Sequence, residues 1–124
     1  MSQQSPSDEA QRPIPPAWRH TFREIVSALV AADYRLEAQI AGVEPVSIET
    51  ATQIRDYLRD YGATLVELPE ATWESSVCIW TGSHGDVIVD LWTQEEGRSD
   101  LVLHAQVVET QSDISVTVHL VYVP

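Results

Sequence analysis

Four side chains of this 124-residue chain could do chemistry together: Cys78, Asp90, His104 and His119. A thiolate, a carboxylate and two imidazoles are adequate ligands for zinc or another divalent cation. The same four could be read as a nucleophile, Cys78, with a histidine base and Asp90 as its orienter. Both readings need the residues to share one sheet face, in the cross-strand order Cys78, Asp90, His104, His119, with His104 directly opposite His119. Against them, the chain has no His-x-x-x-His or Cys-x-x-Cys spacing. Ligands standing in a row on a flat sheet need not converge. No oxyanion hole is evident, and Cys78 falls inside a strand, where a buried structural cysteine is the ordinary case. Ser83-His84 and Arg98-Ser99-Asp100 lack a third member at telling spacing. Gly-x-Gly-x-x-Gly and Gly-Lys-Ser/Thr are absent, so no phosphate loop is expected. The expectation is no catalytic residue and no cofactor, with Asp90, His104, His119 and Cys78 as the alternative metal or small-ligand set.

Period-two segments must carry these residues: 76–81, 86–93, 101–110 and 114–123, joined by short links. Short links imply an antiparallel meander, and Thr64-Leu65-Val66 is a candidate fifth strand. Two helices precede it. Trp18, Phe22, Ile25, Val26, Leu29 and Val30 recur at three- and four-residue spacing after Pro16, which suits a first helical turn. Ile48, Ala51, Ile54, Leu58 and Tyr61 form a second stripe between an N-cap at Ser47 and a C-cap at Gly62. Arg55, Asp56, Arg59 and Asp60 read as its solvated side. The predicted fold is α+β, with two N-terminal helices packed on one face of a four- to five-stranded antiparallel meander. Residues 1–13, polar and without apolar periodicity, are expected to be a disordered tail, and residues 14–124 one domain.

Alternation then sorts the strands into faces. Val87, Val89, Leu91, Leu101, Leu103, Ala105, Val107, Ile114, Val116, Val118, Leu120 and Tyr122 are expected to meet the helices. Cys78, Trp80, Ile88, Asp90, Trp92, Val102, His104, Gln106, Thr117 and His119 are expected opposite. Trp80 and Trp92 would be apolar anchors there, unless the Pro69–Ser75 segment carrying Trp73 folds over them.

Charge bears on partners. Residues 63–124 hold ten acidic side chains against Arg98 alone, a formal −9 of the chain's −12, and there is no lysine. Such a surface repels phosphate backbones and attracts basic proteins. No direct nucleic-acid binding is expected. The start of the chain lacks a signal-peptide pattern, no apolar run approaches the ~20 residues of a membrane span, and a single cysteine suits a reducing compartment. A cytoplasmic location and no membrane contact are therefore expected.

The stretches Ile14-Pro15-Pro16-Ala17-Trp18-Arg19 and Asp90-Leu91-Trp92-Thr93-Gln94-Glu95-Glu96-Gly97-Arg98-Ser99-Asp100-Leu101 resemble a family of small stand-alone bacterial proteins of unknown function. That resemblance, spanning Ile14 to Pro124, implies a single domain and no catalytic residues. By size, charge and architecture the chain is also similar to bacterial immunity proteins, an analogy of type. The expected function is an acidic protein-binding module, an immunity or inhibitor protein against a basic partner such as a toxin, and not an enzyme. Trp80 and Trp92 would anchor the partner, and Asp90, Glu95, Glu96 and Asp100 would steer it. A homodimer through the tryptophan face is a further alternative.

Overall fold

A computed structural model describes residues 11–124. Helix α1 (Pro16–Val30) begins with its proline at the first position, and helix α2 (Ile48–Tyr61) is capped at both ends. The Ser47 hydroxyl accepts from the Thr50 N–H at 3.1 Å, and Gly62, at φ +83°, turns the chain out while its N–H reaches the Leu58 carbonyl. The strands are β1 (Gln11–Pro13), β2 (Val77–Trp80), β3 (Gly85–Thr93), β4 (Gly97–Glu109) and β5 (Ile114–Tyr122). They form one antiparallel sheet in the order β1-β2-β3-β4-β5. The fold is the expected α+β meander with the helices first. Its fifth strand is not the expected one: Leu65 makes a single bridge to Thr93, while β1 pairs with β2. Of the expected tail, 1–10 lie outside the described residues and 11–13 are this strand. Among the described residues no helix is long and apolar enough to cross a membrane.

Both helices cover one face of the sheet. Trp18, Phe22, Ile25, Val26 and Leu29 of α1 and Ala51, Ile54 and Leu58 of α2 are buried with Val87, Val89, Leu91, Leu101, Leu103, Ala105, Val107, Val116 and Val118. Val30 and Ile48, at the ends of their stripes, instead remain 38% and 62% exposed. A chain of tight turns links the helices, with Leu36 at φ +56° and buried. The Asp33 carboxylate fixes these turns by accepting the Glu37 and Ala38 N–H groups.

The β5 edge, and the length of β3 that runs past β2, are covered by local contacts. On β5, the Val116 N–H donates to Gly42 O at 2.7 Å and the Glu44 N–H donates to Val116 O at 2.8 Å. Gly42 lies at φ +79°, and a Cβ there would sit 2.9 Å from the Ile114 carbonyl oxygen, so glycine alone allows this approach. Farther along, the Gln53 amide of α2 donates to Val121 O and accepts from Val121 N–H. On β3, Thr72 Oγ1 donates to Asp90 O, and Ser76 Oγ accepts from Asp90 N–H. Val66 N–H and Thr64 O then pair with Trp92 O and Gln94 N–H. These contacts satisfy backbone groups that would otherwise template another strand.

Hairpin β2–β3 turns through Thr81–His84, and Trp80 pairs with Gly85. Gly85 is buried beneath Cys78 Sγ and the Trp80 ring; a Cβ there would lie 2.9 Å from the sulfur. Gly85→Ala is expected to cost about 1–3 kcal/mol through overpacking, measured by urea unfolding. Adding Cys78→Ala should recover much of that loss; equal losses with and without the second change would contradict this packing.

Candidate functional site: the open sheet face

Register decides which side chains the uncovered face presents. Val77 pairs with Ile88, Ile88 with His104 and His104 with Leu120, so those four form one row. Ile79, Asp86, Gln106 and Thr117 form the next row, and Asp90, Val102 and Tyr122 the row on the other side. Val102 is only 4% exposed although it lies away from the helix-side core. Its neighbours Ile88, Leu120 and Tyr122 are half-buried. The centre of this face is thus apolar.

A bulge in β5 produces part of this composition. His104 is opposite Leu120, whereas Ala105 is opposite Val118, leaving His119 as the extra residue. Beyond it the alternation changes phase: Val121 is buried on the helix side, and Leu120 and Tyr122, expected in the core, lie on the open face. His104 therefore does not stand directly opposite His119. Their rings still meet, with centroids 5.2 Å apart, and His119 Nε2 is 3.1 Å from Gln106 Oε1.

The expected row of four is not formed. Cys78 pairs with Val87 and is buried among the core residues on the helix side. Burial, with the negative charges of Asp86 and Glu109, pushes its thiol above the ordinary range, the opposite of what a nucleophile or metal ligand needs. Asp90 pairs with Val102 instead of His104, and its carboxylate accepts from the Ser75 hydroxyl. Asp86 takes the place expected for Asp90. His104 Nε2 lies 3.3 Å from Asp86 Oδ1, and His84 Nε2 lies 3.7 Å from Asp86 Oδ2. The two imidazoles thus address different oxygens of one carboxylate, while His119 turns toward Gln106. Among the described residues no three His, Cys, Asp or Glu side chains are grouped to hold a metal ion.

The expected binding residues also separate. Trp80 shares the Cys78 side of the sheet and is 38% exposed at its end. Trp92 lies on the open side, half-buried against Gly97, with its buried Nε1 lacking a hydrogen-bond partner. Trp73 folds into the helix side, only 4% exposed, beneath the Arg19 and Arg23 guanidinium groups at 5.5 and 5.6 Å from its ring. It therefore does not cover Trp92, which lies on the other side of the sheet.

Glu95 and Glu96 hold the β3–β4 turn to the end of α2. Glu95 accepts from the Thr64 N–H at 2.8 Å and from its hydroxyl at 3.0 Å. Glu96 accepts from the Tyr61 hydroxyl at 2.8 Å and from Thr93 Oγ1 at 3.0 Å. The Tyr61 oxygen in turn accepts from the Asp100 N–H. Sequence reasoning missed these roles because the partners are 31 and 35 residues away. The Thr64 N–H holds the Glu95 carboxyl below its ordinary range. A lowered acid stabilises the fold when ionised, so this contribution is present at neutral pH and fades below about pH 4.3. Hydrogen exchange at Thr64 should accelerate in that window, beyond the intrinsic pH effect, in wild type and not in Glu95→Gln. Identical profiles would dismiss the contact.

These carboxylates meet hydroxyl and amide donors, not cations, so they keep their charge. After Gly62, Glu70 alone among the described acids pairs with an arginine, Arg23. Arg98 makes no ion pair among the described residues. In contrast, Arg55 and Arg59 of α2 pair with Asp56 and Asp60 on an exposed side, as expected.

Among the described residues, a two-helix layer on one side of the sheet and an open face on the other define this as an α+β domain. The chain belongs to the family described as "Domain of unknown function (DUF7668)", whose model matches residues 26–124. No curated protein and no solved structure matches the chain.

Proposed function

We propose that this chain is an acidic cytoplasmic protein-binding module that docks a basic protein on the open sheet face. An inhibitor of the immunity-protein type, directed at a basic toxin, is the form that suits its charge. The observation carrying the reading is an apolar centre, half-buried Ile88, Leu120 and Tyr122 around the buried Val102, within a sheet half whose acids are nearly all unpaired with cations among the described residues. Depletion of charge at the centre with polar surroundings is how interface cores differ from other surface. Unneutralised carboxylates favour a cationic partner and fast encounter. Local contacts already occupy much of the β5 edge and the free length of β3, which favours recognition by the face over strand addition there. Relative to the sequence expectation, the anchors move to Leu120 and Tyr122 with Trp92. Asp90 and Asp100 remain available for steering, alongside Glu95 and Glu96, which also hold the turn.

The test is site-specific cross-linking in the source cells, with p-benzoylphenylalanine in place of Tyr122 and, as control, in place of exposed Thr52 on α2. An adduct with one identified basic protein from position 122 and not from 52 is expected. Adducts only with a second copy would replace this reading by a homodimer, and no adduct at position 122 would remove it.

A further inference from the structure

We infer that the His84–Asp86–His104–His119 cluster makes the open face release its partner in acid: protonation turns the polar patch beside its apolar centre from anionic to cationic. The inference rests on the docking reading above and concerns regulation of that same surface.

Two imidazoles on one carboxylate, with a third ring stacked beside His104, are contributed by four different places in the meander. His84 comes from the β2–β3 turn, Asp86 from β3, His104 from β4 and His119 from the β5 bulge. The side chains of His84, Asp86 and His104 are 28%, 31% and 27% exposed, so they are accessible to protons yet partly shielded from solvent. Histidine is the side chain whose ordinary titration falls between about pH 5 and 8. With neutral imidazoles the cluster carries the single negative charge of Asp86. With all three protonated it carries two positive charges. A charge change of that size, beside apolar Ile88 and Leu120, acts where a docked partner would exclude water and strengthen electrostatic effects.

Little else on the face offsets the change. β2 contributes Val77 and Ile79, which are uncharged, and Gln106 and Thr117 are the remaining polar neighbours. Asp90 lies two pairs along β3 from Asp86 and is held by Ser75. Arg98 is opposite Trp92 at the far end, and Glu109, opposite Ile114, lies at the other end of β4. Partial burial, then the neighbouring His104, hold the His119 imidazole below its ordinary range, partly countered by Asp86. That lowering extends the response of the cluster toward acid.

The experiment has two arms. In the first, relaxation enhancement of backbone amides by a cationic and an anionic nitroxide cosolute reports local potential on the free chain at pH 7.5 and 5.0. Over Gln106, Thr117 and Leu120 the favoured cosolute should change from cationic to anionic, with no such reversal on α2. In the second, the yield of the Tyr122 cross-link to the identified basic protein should fall at least tenfold over the same interval. Combined His84→Gln, His104→Gln and His119→Gln replacements should abolish the reversal and reduce the loss of yield to less than twofold. The single His104→Gln variant, checked for a native amide spectrum, should show an intermediate change and serves if the triple variant does not fold. An adduct formed equally at both pH values, or no reversal of potential, overturns the gating and leaves the docking reading standing. No adduct at either pH, with the reversal present, removes the docking reading and this inference with it.

Discussion

Phe22→Ala is expected to lower the free energy of unfolding by about 3–5 kcal/mol. Phe22 is fully buried in the middle of the α1 stripe, flanked along the helix by Trp18, Ile25, Val26 and Leu29. Its removal deletes transfer free energy and leaves a cavity that a sheet on one side and a helix backbone on the other cannot collapse to fill. A domain of ordinary stability, about 5–15 kcal/mol, would lose a large share of it. Urea unfolding followed by far-ultraviolet circular dichroism provides the measurement. A loss below about 1.5 kcal/mol would show that α1 does not pack on the sheet as described.

The second large effect concerns recognition. Leu120→Arg is expected to weaken binding of the basic protein recovered from the Tyr122 cross-link by at least a hundredfold. Leu120 lies in the row with Ile88 and His104, half-buried at the apolar centre of the open face. Arginine there would remove an anchor contact and set a cation against a cationic surface; the few residues that cost about 2 kcal/mol or more when changed cluster near the centre of an interface. Because Leu120 is half-buried and lies away from the helix-side core, the free chain should lose no more than about 1 kcal/mol of its unfolding free energy. Titration calorimetry with the purified pair reads the first quantity and urea unfolding the second. Unchanged affinity would place the partner elsewhere on the molecule. Reversing Glu95 and Glu96 is a poorer probe of steering, because both also secure the β3–β4 turn through Thr64, Tyr61 and Thr93.

Local signals carried much of the architecture. The Ser47 and Gly62 caps are short-range hydrogen-bonding and φ requirements, and both are met where the residues stand. The α1 stripe and the alternation of β3 and β4 likewise declare their buried sides, because helical and strand periods assign a face without any partner being known. The site was less legible for the same reason. Alternation assigns a face only within an unbroken strand, so the extra residue at His119 misplaced Leu120 and Tyr122. The β2–β3 turn at Thr81–His84 put Cys78 opposite Val87, and the β3–β4 register, with Ile88 opposite His104, exchanged Asp90 for Asp86 near that histidine. Trp80 changed face with Cys78. Glu95 and Glu96 were read as free charge because nothing in a contiguous stretch indicates a distant hydroxyl or amide donor.

The β5 bulge also bears on how this chain can change in length. From Ile114 to Val118 the strand is in one phase, from Leu120 onward in the other, and His119 is the residue by which they differ. Deleting that residue would join Val118 directly to Leu120 in an unbroken strand. Leu120 and Tyr122 would stay on the open face, Val121 would stay on the helix side, and the Gln53 amide would still bracket Val121. Deleting Val118 instead would bring His119 to the helix side. A residue can therefore be lost at the bulge without disturbing either face, and not at the position before it.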